Sequence, residues 1–587
     1  MSSSQEKNLH FIPRFILRKF KSEKQPPAAP ALSLAPRRGQ RHKQRTRGRD
    51  FLVDKVDLER CILTQRPVST EFALVNMYRD PGFDDNPYHL EDKLTELESK
   101  ASKVLHRACD ELSRGSTLEL GRSEVDILRK FLFLMKYRNA GMFDRYNHDH
   151  VDSYDSDDRE QMLQYMESKG FSKPRDVWFH NLLQLLNVEM DAKKSWIGTL
   201  ETRMYPYDAM MFELHLRYSF MAFCTPQSSE EEFLLTQNAY SIFEGPSTIT
   251  LDPRTVKIEP VVYTEYHNFA PISPKLIIIL RSHLLLPDNA LQGDWDWLRA
   301  AVRFQHLHPG KAGSILQDLP VSNCNISYTR PPSNTNSRFH RDDRFHFTCF
   351  QLSPAHVATI NNLLLEEAYA TSSIVYHSPN SLKRSIENYF SSELVGMKNV
   401  LDNPLDKRRL YLAKLEKILC DLGGSARCKF QQFEIPSPRI HMSLHVAVET
   451  ASQLLQEGPD GSLPYIYLLL RPDADHDAFW NDVHQASLMI LLRTKLDRGL
   501  STSTLTDEEK FSVRHERHTF FVTFPIERQW LYLKICQNLN KFDSDDFTIQ
   551  TKDLVLSGAE DKYAKFIAYF PDKRDYLACL MYLRAMT

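Results

Sequence analysis

Glycine is scarce: 19 residues in a chain of 587. Loops that cradle phosphate groups depend on clustered glycine, and neither G-x-x-x-x-G-K-[ST] nor G-x-G-x-x-G occurs. A P-loop ATPase and a Rossmann dehydrogenase are therefore disfavoured. H-E-x-x-H and G-x-S-x-G are missing too, which argues against a zincin protease and a standard esterase. There is no C-x-x-C pair. The nine cysteines, Cys61, Cys109, Cys224, Cys324, Cys349, Cys420, Cys428, Cys536 and Cys579, are scattered and odd in number. That pattern reads as reduced, intracellular thiols without a structural zinc site. Long apolar runs are also lacking. The richest one, LIIIL at 276–280, is cut off by Arg281, Ser282 and His283, whereas a membrane span needs about 20 apolar residues. The N-terminal MSSSQEKNLHF has no apolar core of a secretory signal. These features point to a soluble protein of the cytoplasm or nucleus.

The remaining composition is ordinary for a globular protein, with 42% hydrophobic and 26% charged residues. The net charge of −2 conceals an asymmetry: residues 1–49 hold 13 Lys/Arg against Glu6 and Glu23, so they carry +11 and the rest −13. Within that arm, QPPAAPALSLAP cannot build a core. RRGQRHKQRTRGR then places seven Lys/Arg in 13 residues with no acid. The composition predicts a disordered insertion over 22–49, with 37–49 making weak, salt-sensitive nucleic-acid contact or serving nuclear import.

Periodicity organises the rest. HFIPRFILRKF (10–20) fits neither repeat cleanly and is expected to be a short, partly buried segment. A strand is expected at FLVDKVD, and a helix over 89–113, where Leu90, Leu94, Leu97, Ala101, Val104, Leu105 and Ala108 recur at three and four. A second helix is expected to start at Ser123, capped with Asp126, and to run through Phe143. Residues 147–158 read as a polar loop, and a further helix as 175–190. FELHLRYSF (212–220) alternates like a strand, and EFLLT (232–236), KLIIIL (275–280) and RFHFTCF (344–350) read as three more strands. A helix is expected from Ser353-Pro354 to Ala370. Beyond 400 the chain reads as mainly helical, including a helix start near Thr506 with three acids in its first turn. The fold class expected is α+β: a helical body carrying a small, mostly antiparallel sheet. Its parts are a motif segment at 1–21, the insertion at 22–49, a core over 50–400 and a helical extension over 401–587.

Six landmarks occur in a fixed order. They are His10-Phe11-Ile12-Pro13 through Leu17-Arg18-Lys19-Phe20; Asn76-Met77-Tyr78; Glu91 to Glu98 as E-x-x-L-x-x-x-E; FLFLMKYRN with Arg138; Leu235-Thr236-Gln237-Asn238-Ala239; and Pro271-Ile272-Ser273-Pro274 before KLIIIL. Together, over about 8–390, they resemble a family known as domain of unknown function 4238, with bacterial and fungal members. That resemblance implies no particular activity. It also implies an acid where Gln237 stands and a proline where Ala239 stands. Glutamine accepts and donates hydrogen bonds but does not take up a proton at neutral pH.

The candidate site residues are His10, Glu98, Arg138 and Asn238. Glu98 lies four after Leu94 and three before Ala101, at the border of an apolar stripe. Arg138 lies three after Met135 on the apolar side of its own helix. An acid and an arginine so placed suit an ion pair fixing two helices, or an anion-binding arginine beside a base or metal ligand. His10 needs an orienting acid to act as a base, and Glu98 or Glu91 could supply it. His148, Asp149 and His150 with Asp152, Asp155, Asp157 and Asp158 read as a solvated loop. His476 and His484 stand eight residues apart, roughly 12 Å along a helix, too far for one ion. No cofactor or metal is assigned. The function expected is a non-catalytic partner- or nucleic-acid-binding module; the alternative is a hydrolase-like enzyme acting on a phosphate-bearing substrate such as nucleic acid.

Overall fold

The computed structural model describes residues 7–22, 50–251, 258–286, 313–319, 325–328, 340–433 and 465–539, apart from 84, 116, 155–157, 395, 402–403, 502 and 522, together with single residues at 302, 447, 450, 451, 454, 564, 567–569 and 577. Residues 23–49, on which the expected disorder and the basic run fall, lie outside the described residues. The first residue of that expected insertion, Ser22, belongs to the fold: it is buried, and its N–H donates to the Leu52 carbonyl at 2.8 Å. The chain divides into two compact units. The first comprises Met1–Glu244, Tyr266–Leu285 and Asp318–Glu434; the second comprises Gly245–Glu265, Leu286–Gln317 and Ile435–Thr587. The class is α+β. Among the described residues no helix is long and apolar enough to cross a membrane.

In the first unit, β1 (Asn8–His10) pairs antiparallel with β4 (Ala73–Val75), His10 opposite Ala73. Pro13 then opens a one-turn helix, α1 (Arg14–Leu17), which buries Ile16 and Leu17. The opening segment is thus more ordered and more buried than its mixed periodicity implies. Next come β2 (Leu52–Asp57) and β3 (Ile62–Pro67), two strands of a four-stranded antiparallel sheet completed by Ser373–Tyr376 and Leu235–Thr236. A second sheet has five strands, in the order Phe350–Leu352, Ser219–Pro226, Leu276–Ser282, His267–Ser273 and Phe243–Glu244. Only its Phe350–Leu352 edge runs parallel to its neighbour. A third joins Asn325–Tyr328, Asp343–Phe347 and Leu118–Gly121. The expected single sheet is thus several small ones.

Helix α2 (His89–Ser113) matches the expected span and buries Leu90, Leu94, Ala101, Val104, Leu105, Ala108 and Leu112 on one face. Removing each of the larger of these side chains from water contributes roughly 1.5–3 kcal/mol. Helix α3 (Arg122–Tyr137) starts one residue before the expected Ser123. Its cap is Gly121, whose N–H donates to Glu124 Oε2 at 2.9 Å, so Ser123 and Asp126 do not form the box. Nor does α3 continue to Phe143. Asn139 caps a separate helix, α4 (Ala140–Tyr146), its Oδ1 accepting from the Met142 N–H at 2.8 Å. The loop after it is not free of structure: Val151–Ser153 form a 3-10 turn, and Tyr154 and Asp158 are buried. Helices α5 (Arg159–Lys169), α6 (Pro174–Asn187) and α7 (Trp196–Arg203) follow, of which only α6 is legible in the periodicity.

The expected strand at 212–220 is the clearest correction. Residues 212–217 end α8 (Pro206–Arg217), and the strand begins at Ser219. Proline at its first position and burial of Asp208, Ala209 and Phe212, at helical spacing, mark the helix. Leu214, which carries the apparent alternation, is exposed.

In the second unit, Ser247–Leu251 pairs antiparallel with Ile258–Tyr263. Helix His476–Ser501 packs against Ile526–Leu539 around Trp480, Phe479, Trp530 and Leu533. Asp482, buried there, accepts from Tyr467 Oη at 2.8 Å, Arg471 Nη1 at 2.5 Å and Arg528 Nε at 2.7 Å, so it is committed to structure.

Candidate functional site

Four elements of the first unit bring polar side chains together. His10 ends β1, and Arg14, four residues on, opens α1. Glu91 and Glu98 lie seven apart on α2, two turns on one face. Arg138 stands at the break between α3 and α4. That break is held from several sides. The Arg138 N–H donates to the Leu134 carbonyl at 2.9 Å, and the buried Tyr78 hydroxyl donates to the Arg138 carbonyl, also at 2.9 Å. Asn139 Nδ2 donates to Ser241 Oγ. With the backbone fixed, the guanidinium is directed inward and is only 1% exposed.

Arg138 Nη2 donates to Glu98 Oε1 at 2.6 Å. Burial opposes the guanidinium charge, but Glu98, Tyr78 and Glu91 outweigh it, so Arg138 stays protonated. Its Nε and Nη1 are buried and have no hydrogen-bond partner among the described residues. The same holds for His10 Nδ1 and Glu91 Oε2.

Burial, and after it the adjacent Arg14 charge, lowers His10 to about 4, against the opposing pull of the Ser69 and Glu71 backbone. The imidazole is therefore neutral at pH 7. Its Nε2 lies 3.0 Å from Arg14 Nε and 3.2 Å from the Ser69 carbonyl oxygen. Arginine can only donate. The shorter contact therefore makes Nε2 the acceptor and places the proton on Nδ1. Glu91 is pushed up to about 7, first by burial and then by Glu98 and Asp92, against the opposing charges of Arg138 and Arg14. Within the cluster Arg14 is exposed and the Glu98 side chain is 24% exposed, whereas Arg138 is buried. Arg138 is its floor.

Of the four residues singled out in the sequence, three belong to this cluster. Asn238 makes its hydrogen bonds elsewhere: Nδ2 donates to the Glu367 carbonyl at 3.0 Å, and Oδ1 accepts from Thr236 Oγ1 at 2.9 Å. Its neighbour Gln237 accepts from the Ser372 N–H and hydroxyl, each at 3.0 Å. There the side chain joins two chain segments as an acceptor, a role that needs no proton transfer. Arg14 and Tyr78 were not foreseen as members. Arg14 meets His10 across a strand end and a bend, which no helical spacing reveals, and Tyr78 acts on a backbone carbonyl 60 residues away.

A model of the family described as "Protein of unknown function (DUF4238)" matches residues 8–381. The chain belongs to the DUF4238 family. The matched span contains every member of the cluster, from His10 to Arg138, and the Gln237–Asn238 pair. No curated protein and no solved structure matches the chain.

Proposed function

We propose that this DUF4238 protein binds a phosphate-bearing ligand, for which we take nucleic acid as the class, through the cluster floored by Arg138. The observation that carries this reading is the fully buried guanidinium with Nε and Nη1 unpartnered, beside an unpartnered His10 Nδ1. An unsatisfied buried polar group costs about 1–3 kcal/mol, and more when charged. A fold tolerates several in one place where an incoming group satisfies them. Donors of this kind match an anion, and arginine suits phosphate above all. Single-stranded oligonucleotides and a dinucleoside monophosphate, titrated against the full chain, should bind with an affinity that falls with salt. Arg14→Gln, at the exposed rim, should weaken that binding while costing the fold no more than its hydrogen bond to His10, about 1 kcal/mol. Equal affinity in the variant, or no binding of either probe, refutes the reading.

A second reading, a hydrolase-like enzyme on the same ligand class, is favoured by one observation: a carboxyl held near neutrality, Glu91, stands beside the anion-binding arginine. Such a group suits general acid–base work. Release of product from the bound probe, abolished in Glu91→Gln, would establish turnover. Binding without product leaves the protein a binding module. The basic run at 37–49 would then add affinity, and replacing its seven Lys/Arg by Gln should flatten the salt dependence.

A further inference from the structure

We propose that Glu91 is the proton-carrying group of the Arg138 site: it meets the ligand as a neutral carboxylic acid, Oε2–H donating to a ligand oxygen, so that binding above neutral pH takes up one proton. The inference rests on the reading of Arg138 as an anion-binding centre and adds the mode of recognition.

The geometry leads to this assignment. Glu98 and Glu91 share one face of α2, but their situations differ. Glu98 gives its Oε1 to Arg138 and so serves as the fixed counter-charge. Glu91 Oε2 is buried and has no partner among the described residues. An ionised carboxylate in that place would repel an incoming anion, while the acid form offers a donor. Charged groups act on Glu91 from each element around it: Arg14 from α1, Arg138 from the end of α3, and Asp92 and Glu98 from α2 itself. Asp92 Oδ2 is taken up by Asn86 Nδ2 at 2.8 Å. Tyr78 also lies within the reach of the Glu91 charge, and burial raises its phenol well above the usual range, so it stays protonated. His10 is neutral over the whole neutral range. Glu91 is thus able to change its charge around pH 7, where burial and carboxylates set against two arginines leave it. An anion arriving beside it adds a like charge, which favours the acid form further.

The experiment is isothermal titration of the full chain with a dinucleoside monophosphate, whose single phosphodiester charge is constant from pH 6 to 8.5. Buffers of different ionisation enthalpy count the protons exchanged. Uptake approaching one proton at pH 8, with an affinity that is flat below pH 7 and falls about tenfold per pH unit above it, supports the assignment. Glu91→Gln, which keeps a neutral donor, should bind with little pH dependence and without proton uptake. Should that variant fail to fold, the proton count on the wild-type chain still decides. Binding without proton uptake overturns the role of Glu91 and leaves the anion site standing. An unchanged pH slope in Glu91→Gln does the same. Failure of the probe to bind at any pH overturns the anion site, and this proposal with it.

Discussion

Glu98→Gln isolates what the Arg138 ion pair does for the fold. The substitution keeps size and hydrogen-bonding capacity while removing the charge that faces a guanidinium 1% exposed at 2.6 Å. Breaking a fully buried pair in this way costs about 3–5 kcal/mol, because a charge is left in low dielectric without its partner. Two features reduce the figure here. The Glu98 side chain is 24% exposed, so water reaches the pair. Glu91, relieved of a like-charged neighbour, ionises more readily and takes over part of the compensation. A loss of about 2–3 kcal/mol is expected. Urea unfolding followed by tryptophan fluorescence and circular dichroism measures it; two probes are needed because a chain of two units need not unfold in one step. Removing both charges, as Glu98→Leu with Arg138→Met, should recover most of the loss, since no buried charge remains unpaired. A loss below about 0.5 kcal/mol in Glu98→Gln, or a double variant no more stable than the single one, would refute the argument that the uncompensated charge is what costs.

Two further expectations concern stability. His10 is lowered from 6.5 to about 4, so the unfolded chain binds more protons between those values, and its contribution is present above pH 6.5 and lost as pH falls toward 4. Glu91 is raised from 4.5 to about 7, so its contribution is present below pH 4.5 and lost as pH rises toward 7. Each is worth roughly 3 kcal/mol at most, and between pH 4.5 and 6.5 they oppose each other. Glu91→Gln should therefore unmask a steeper loss of stability on acidification, and His10→Gln a loss on alkalisation; parallel pH profiles in both variants would contradict the assigned shifts. Elsewhere, the buried Asp208 Oδ2 accepts from Tyr137 Oη at 2.5 Å, Tyr146 Oη at 2.7 Å and Asn181 Nδ2 at 2.7 Å. Tyr137→Phe should cost about 1–3 kcal/mol in the same urea assay, and no loss would show that Asp208 does not depend on that donor.

The parts of the fold legible in the sequence are those where local pattern and tertiary packing agree. Helix α2 has a continuous apolar stripe and acids in its first turn, and its observed ends match the expected ones. Strand Leu276–Ser282 is buried along its whole length, and its segment Leu276–Leu280 reads as an unbroken apolar run. Misreadings arose where one pattern satisfies two periods. Phe212, Leu214 and Leu216 alternate, yet they belong to a helix that buries Phe212 and leaves Leu214 in solvent. The α3–α4 break leaves no local signal because Asn139 reads equally well as a helix interior; its capping role depends on the turn that Tyr78 and Ser241 hold in place. The site was legible in part for the same reason. Glu98 and Arg138 border apolar stripes, which local spacing reveals. That Glu91 is the acid left unpartnered depends on which carboxylate the guanidinium reaches, and that is settled by packing between helices.

The most direct measurement of the central claim is the position of an anion. Crystals of the full chain exposed to sulfate, a tetrahedral stand-in for phosphate, should show it within hydrogen-bonding distance, about 2.7–3.2 Å, of the Arg138 guanidinium, with His10 Nδ1 facing it. Sulfate bound only elsewhere, with Arg138 Nε and Nη1 satisfied by enclosed water, would contradict the account and make the cluster a structural one.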